Sequence, residues 1–276
     1  QQPKTYLLHG VTGSGKTEVY MQLIERTLAS GRQAIVLIPE ISLTYQNIAR
    51  FRQRFGRRVS VMNSRMSDGE RYDQYIQAKN GEIDIMIGPR SALFTPFPDL
   101  GLLIVDEEQD GAYKSDTTPK YHAVDVAIRR MEMCSGKVVL GSATPSVVTY
   151  DRAVRGIYGL HRLENRVAGG PGMAKTCIID LREELKQKNY SIFSRRLQSE
   201  MEARLERKEQ ILLFLNRRGY AGFISCRSCG HVIRCPHCDI SMTLHKAEGN
   251  LLKCHYCGMT LAMPDSCPEC GSRYIG

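Results

Sequence analysis

The stretch Leu7-Leu8-His9-Gly10-Val11-Thr12-Gly13-Ser14-Gly15-Lys16-Thr17-Glu18 ends an apolar run, passes through three glycines and opens a helical pattern at Val19, Leu23, Ile24 and Leu28. Gly10, four residues, then Gly15-Lys16-Thr17 is the Walker A spacing, in which backbone N–H groups and a helix N-terminus face a bound phosphate. Gly10, Gly13 and Gly15 let the backbone approach the anion where a side chain would intrude. The ATP-binding candidates are therefore Gly10, Val11, Thr12, Gly13, Ser14, Gly15, Lys16 and Thr17. Lys16 is placed to reach the β- and γ-phosphates, and the Thr17 hydroxyl to hold magnesium (Mg2+).

Ser30-Gly31 stops this first helix. Short apolar runs follow at 34–38, 59–62, 83–87, 102–105 and 138–140, with helical patterns between them. Strands alternating with helices predict a doubly wound α/β domain with a parallel sheet, helices on both faces, and ligands at the carboxyl ends of the strands. One of the helices, 42–55, turns Ile48, Phe51 and Phe55 inward. It carries Arg50 and Arg54 on another face, with Arg57 and Arg58 beyond its end, which reads either as a solvated surface or as a face for an anionic partner.

Chemistry returns at Leu102-Leu103-Ile104-Val105-Asp106-Glu107-Glu108-Gln109, four apolar residues followed by acids where a buried strand meets the ligand edge. This is a Walker B pattern. Asp106 is expected to hold magnesium and Glu107 to orient or deprotonate the attacking water, so Lys16, Asp106 and Glu107 form the catalytic set. Residues 111–122 interleave Tyr113 and Tyr121 with Lys114, Lys120 and His122. Such a loop either stacks on bases or packs its tyrosines down. Gly141-Ser142-Ala143-Thr144-Pro145 then places Ser142 and Thr144 at a further strand end, where they are candidates for coupling to the γ-phosphate or the water near Glu107.

A glycine-rich segment around Gly169-Gly170-Pro171-Gly172 is expected to be a linker, 166–175, after a first domain at 1–165. Beyond it, Cys177-Ile178-Ile179-Asp180 and Ile211-Leu212-Leu213-Phe214-Leu215-Asn216 read as strands, with a helix carrying Leu197, Met201 and Leu205 between them. A second α/β domain is expected to begin at 176–225.

Eight of the ten cysteines form four Cys-x-x-Cys pairs, Cys226/Cys229, Cys235/Cys238, Cys254/Cys257 and Cys267/Cys270, enough for two tetrahedral zinc (Zn2+) sites within 226–273. Only five residues separate Cys229 from Cys235, too few for the hairpin that would bring those two pairs to one metal. The predicted sites are therefore nested: Cys235, Cys238, Cys254 and Cys257 inside, Cys226, Cys229, Cys267 and Cys270 outside. Four sulfurs fill each site, so the zincs are expected to be structural and His231, His237, His245 and His255 not to be ligands. Each metal contributes on the order of 10 kcal/mol to ordering a segment poor in apolar residues. Cys134 and Cys177 are assigned to core packing.

The net charge of +9 favours an anionic partner, nucleic acid before membrane. Two zinc–tetrathiolate sites, each carrying −2, would lower it to about +5. No apolar run approaches a membrane span and no secretory leader pattern occurs at the start, so a cytoplasmic location is expected.

Taken together, the ordered motifs resemble the PriA family of replication-restart helicases in superfamily 2. The resemblance rests on 10–20 as motif I, Pro39-Glu40-Ile41-Ser42-Leu43-Thr44 as Ia, Gly88-Pro89-Arg90-Ser91-Ala92-Leu93-Phe94 as Ib, Asp106-Glu107-Glu108-Gln109 as II, 141–145 as III, Asn216-Arg217-Arg218-Gly219 within IV, and the cysteine pairs as a zinc insertion. It implies a RecA-like P-loop NTPase lobe, part of a second RecA-like lobe interrupted by the zinc module, and resumption of that lobe at 274–276. It further implies ATP-driven 3′-to-5′ movement on single-stranded and forked DNA, at stalled or abandoned replication forks, by a monomer in the bacterial cytoplasm and nucleoid. Primosome and helicase-loading proteins are the implied partners, with single-strand DNA-binding protein a further candidate and no membrane. Arg50, Arg90, Ser91, Tyr113 and Lys120 become the DNA-contact candidates, and 111–122 the loop coupling DNA to ATP. Gln109 stands where many relatives have His. The resemblance ends at Gly276, before segments like motifs V and VI with their arginine finger, and a piece of this extent is expected to be weak or inactive alone. Two other readings stay open: a DNA- and protein-binding scaffold switched by nucleotide, and a small-molecule phosphotransferase, against which the zinc pattern speaks.

Overall fold

The computed structural model describes residues 4–167, 174–214, 223–245 and 249–276. The chain divides into two compact units, residues 1–172 and 173–276. In the first, β1 (Thr5–Gly10), β2 (Gln33–Leu37), β3 (Val59–Val61), β4 (Ile85–Gly88), β5 (Leu100–Asp106), β6 (Lys137–Ser142) and β7 (Gly159–Leu163) form one sheet. The strand order is β3-β4-β2-β5-β6-β1-β7, with every neighbouring pair parallel. The central strands are buried on both faces, which is why they read as continuous apolar runs rather than as alternation.

One sheet face, with Leu7, Ile35, Leu37, Leu103, Val105 and Leu140, packs against Ala123, Val124, Ala127 and Met131 of α4 (Ala123–Met133). The other, with Leu8, Val36, Ile87, Ile104 and Val139, packs against Tyr20, Met21, Ile24 and Leu28 of α1 (Lys16–Ala29) and Phe51 and Phe55 of α2 (Tyr45–Phe55). Arg54 ties the last two helices together, its Nε donating to Glu25 Oε1 at 2.6 Å and its Nη1 to Glu18 Oε1 at 2.7 Å. Thr44 caps α2, and a Ser67/Glu70 capping box opens α3 (Asp68–Lys79). The final helix of this unit is α5 (Val147–Val154).

Strand β7 carries no apolar run. It is an edge strand whose His161 and Arg162 are exposed, and edge strands commonly carry charge. Its ladder with β1 comes from tertiary pairing alone.

The second unit holds α6 (Leu181–Lys186), α7 (Arg195–Glu206) and an antiparallel sheet in the order β10-β9-β8, from β8 (Thr243–His245), β9 (Leu251–Lys253) and β10 (Thr260–Ala262). Its small core is Ile224, Ile233, Met242 and Leu252 with Cys235 and Cys254. Arg227 donates to the carbonyls of Tyr190 and Ser191, and the Tyr190 and Tyr274 rings stack at 5.2 Å. Helix α7 forms as expected, but Leu197 and Leu205 are exposed. The two strands expected here are not present among the described residues: 177–180 and 211–214 pair with no neighbour, and Ile178, Leu212 and Phe214 are exposed. A strand's hydrogen bonds come from the strand beside it, so an apolar run without one has no ladder to join. Cys177 is exposed rather than packed in a core, whereas Cys134 packs against the first unit's core. The glycine-rich linker at 169–172 and Asn216-Arg217-Arg218-Gly219 lie outside the described residues. Among the described residues no helix is long and apolar enough to cross a membrane.

The packing of α2 rests on Phe51, 1% exposed and stacked on Phe55. Phe51→Ala is expected to cost about 3–5 kcal/mol in denaturant unfolding. Val147→Ala, at a position 86% exposed, is expected to stay within about 0.5 kcal/mol.

Candidate functional site

Strand β6 lies between β1 and β5, so the glycine loop after β1 and the acids ending β5 emerge one strand apart at the same edge. They line one cleft of about 900 Å³, formed by Thr12, Gly13, Ser14, Gly15, Lys16, Thr17, Glu18, Asp106 and Glu107, with Met21, Arg50, Gln53, Arg54 and Val167. The loop has the features of an anion cradle. Gly15 caps α1 in the left-handed region at φ 88° with no side-chain cap, leaving the Lys16 and Thr17 N–H groups to a ligand. A Cβ on Gly10 would fall 2.5 Å from Ser14 Oγ. That oxygen is buried and has no hydrogen-bond partner among the described residues, an orphan that a phosphate or its metal would satisfy. Lys16 Nζ donates to the Gly10 carbonyl at 2.9 Å, folded back over the loop. The residues fit a magnesium-bound nucleotide: an ammonium, a helix N-terminus, the Thr17 hydroxyl and an acid converge.

At the acidic end, the Asp106 carboxyl is raised above its ordinary value by burial, opposed by the hydrogen bond from Tyr20 and by Lys16. Tyr20 Oη donates to Asp106 Oδ1 at 2.9 Å. Glu107 sits at φ 49°, a strained conformation for a residue with a side chain. From it a polar chain runs to β6: Gln109 Nε2 donates to Glu107 Oε2 at 2.9 Å, Ser142 Oγ to Gln109 Oε1 at 2.6 Å, and the Thr144 N–H to Ser142 Oγ at 2.9 Å. Ser142 and Thr144 therefore reach Glu107 through Gln109. Glu108 turns the other way. Only 3% exposed, it accepts from the Ser146 N–H at 2.6 Å and the Thr149 hydroxyl at 3.0 Å, capping the N-terminus of α5.

The DNA-contact candidates disperse. Tyr113 is 1% exposed, and its hydroxyl donates to the carbonyls of Asp106 at 2.6 Å and Leu37 at 3.1 Å. It cannot stack on a base, because its ring is core and its polar end closes the tips of β5 and β2. Arg50 lines the same cleft as Lys16 and Asp106. Arg90 donates to the carbonyls of Ala112 and Lys114, holding the loop after β5. Arg90 and Ser91 border a hollow of about 360 Å³ with Glu40, Ser64, Arg71 and Ala112. Lys120 is exposed.

The cysteines form two clusters, Cys226/Cys229/Cys267/Cys270 and Cys235/Cys238/Cys254/Cys257, each with sulfurs within 4.8 Å of one another. This is the nested pairing. Neighbouring sulfurs stand 3.6–3.7 Å apart, too far for a disulfide and close to the ~3.8 Å edge of a tetrahedron with zinc–sulfur bonds of ~2.3 Å. In the inner cluster the Cys257 backbone N–H brings Cys254 down to about 7 against burial, while the Cys257 thiol and burial push Cys238 up to about 12. Four thiols this close cannot all ionise without a cation among them, and the donor set fits zinc.

The sequence profile described as "DEAD/DEAH box helicase" matches residues 1–153, more than half of the chain. The chain belongs to the DEAD/DEAH box helicase family. A second profile, "PriA DNA helicase Cys-rich region (CRR) domain", matches 235–260. The chain is 51% identical to Replication restart protein PriA of Bacillus subtilis over 99% of its own length and 34% of that protein. It is 48% identical to Replication restart protein PriA of Synechocystis over 98% of its length and 33% of that protein. It thus spans about a third of these relatives, and the family resemblance read from its motifs is borne out. Among solved structures it is similar to RecG bound to a three-way DNA junction, at 23% identity and a TM-score of 0.45, over 61% of this chain and 22% of that one.

Sequence reasoning missed Tyr20, the burial of Glu108, and the bridging role of Gln109. The only signal for Tyr20 was its place in the apolar stripe of α1, where a tyrosine supplies a hydroxyl that a leucine would not.

A carboxyl whose folded pKa lies above its unfolded value gives stability that is present in acid and lost as pH rises through the folded value. Asp106→Asn is therefore expected to raise the melting temperature at neutral pH in magnesium-free buffer, with the gain shrinking on acidification. Melts across pH check this, and a gain that grew in acid would contradict it. Metal analysis is expected to find about two zinc ions per chain, falling to about one in Cys235→Ser.

Proposed function

We propose that this chain is the ATP-hydrolysing core of a DNA helicase or translocase acting in replication restart. One observation carries the reading: Lys16, Thr17, Asp106 and Glu107 line a single cleft, a cationic phosphate cradle facing paired carboxylates, as phosphoryl transfer to water requires. The loop N–H groups and Lys16 bind the phosphates. Thr17 and Asp106 would hold a magnesium ion, which when bound would supply neutralisation of phosphate charge. Glu107 orients the water and takes its proton. The chain from Glu107 through Gln109 and Ser142 to Thr144 ties this chemistry to β6.

The relatives' names support a place in replication restart, and the family resemblance supports action at stalled or abandoned replication forks. The family resemblance supports 3′-to-5′ movement, single-stranded and forked DNA, primosome and helicase-loading proteins as partners, single-strand DNA-binding protein as a further one, and a bacterial cytoplasmic setting. Arg90, Ser91 and Lys120 are the DNA contacts retained, and Arg50 belongs with the nucleotide cleft. The domain reading is a first RecA-like lobe at 1–165, a linker at 166–175, the start of a second lobe at 176–225, the zinc module at 226–273, and the second lobe again from 274.

The deciding measurement is ATP turnover with and without single-stranded DNA, in a version extended to the length of the relatives. DNA is expected to stimulate turnover, and Lys16→Ala to reduce it about a hundredfold or more. Turnover indifferent to DNA, or surviving Lys16→Ala, would leave the nucleotide-switched scaffold as the better account.

A further inference from the structure

Tyr20 lies 86 residues from Asp106 in sequence, yet its hydroxyl donates to that carboxylate at 2.9 Å from a position only 2% exposed. A helix face packed on a sheet needs an apolar group there, and leucine or phenylalanine would serve. A buried phenol is a different matter, since its O–H is costly to bury unless it is bonded.

The sheet is hollowed to admit this one oxygen. Gly141 on β6 pairs with Asp106 on β5 and with Leu8 on β1, directly between the two halves of the cleft. A Cβ at 141 would stand 1.6 Å from Tyr20 Oη and 2.8 Å from the ring carbon that bears it. Its φ is not in the left-handed region, so backbone conformation does not demand glycine there. The space for the phenol does.

We infer that Tyr20 is a positioning residue for the metal–nucleotide site: its hydroxyl fixes the Asp106 carboxylate by engaging Oδ1, leaving the second oxygen to the hydration shell of the metal. A carboxylate held in one orientation loses less freedom when the metal arrives, the usual effect of a hydrogen-bonded partner behind a ligand. Gly141 acts through Tyr20, by leaving the room it occupies. The inference rests on the reading that Asp106 serves a bound magnesium ion.

The test uses the 276-residue chain, loaded with zinc, and a fluorescent ATP analogue (mant-ATP) titrated with Mg2+. Binding of Mn2+ with ATP, followed by electron paramagnetic resonance, is the second readout. Tyr20→Phe keeps the ring in the core and removes only the hydroxyl; thermal melts by circular dichroism check the fold. The variant is expected to raise the half-saturating metal concentration about tenfold, to leave metal-free nucleotide binding unchanged, and to add nothing in an Asp106→Asn background. A Tyr20→Phe that lowers the melting temperature but leaves the metal midpoint in place would make Tyr20 a packing residue, overturning the inference while the nucleotide site stands. If Asp106→Asn itself leaves the metal midpoint unchanged, the nucleotide-site reading fails, and this inference fails with it.

Discussion

The parallel ladder that joins β6 to β1 on one side and to β5 on the other is what the first unit depends on. Because all three strands run the same way, their carboxyl ends open at one edge, and the glycine loop with Lys16 faces the acids Asp106 and Glu107 across one cleft. Neither half could be placed by local preference. The glycines set the shape of the loop and the apolar run of β5 sets its burial, but the distance between Lys16 and Asp106 belongs to the sheet. The tips of that sheet are then closed by buried polar groups with partners: Tyr113 on two carbonyls, and Tyr20 on the carboxylate itself. Low dielectric makes such bonds strong when made and costly when missing, so the edge is held in one arrangement.

The second unit is built on a different principle. Its apolar core is a handful of side chains, two of them cysteines, and β8, β9 and β10 are each three residues long. Burial on that scale does not offset the ordering of so much chain. Thiol clusters with tetrahedral spacing do, because a site absent from the unfolded chain converts metal binding into folding free energy.

What was legible in the sequence follows from the range of each interaction. The glycine loop and the acidic strand end are local patterns, and their place at the tips of β1 and β5 could be read residue by residue. The nesting of the cysteine pairs followed from loop length, since five residues between Cys229 and Cys235 are too few for a return and fifteen between Cys238 and Cys254 are enough. Five apolar runs became strands because strands buried on both faces advertise themselves by composition. The edge strand β7 did not, since its outward positions are polar. The runs at 177–180 and 211–214 had the composition without a neighbouring strand among the described residues. Tyr113 was equally readable as a base-stacking aromatic or as core, because interleaved tyrosines and lysines look alike in both settings. Only the carbonyls above it, from β5 and from distant β2, decide.

Glu108 divides the acidic box in a way its spelling hides. Asp106 and Glu107 face the cleft, but the third acid is driven inward to bind the first turn of α5 through Ser146 and Thr149. The segment that carries Glu107 is therefore welded to a helix that follows the next strand. Any displacement of the β5 tip would therefore carry the start of α5 with it, the two joined as one rigid lever.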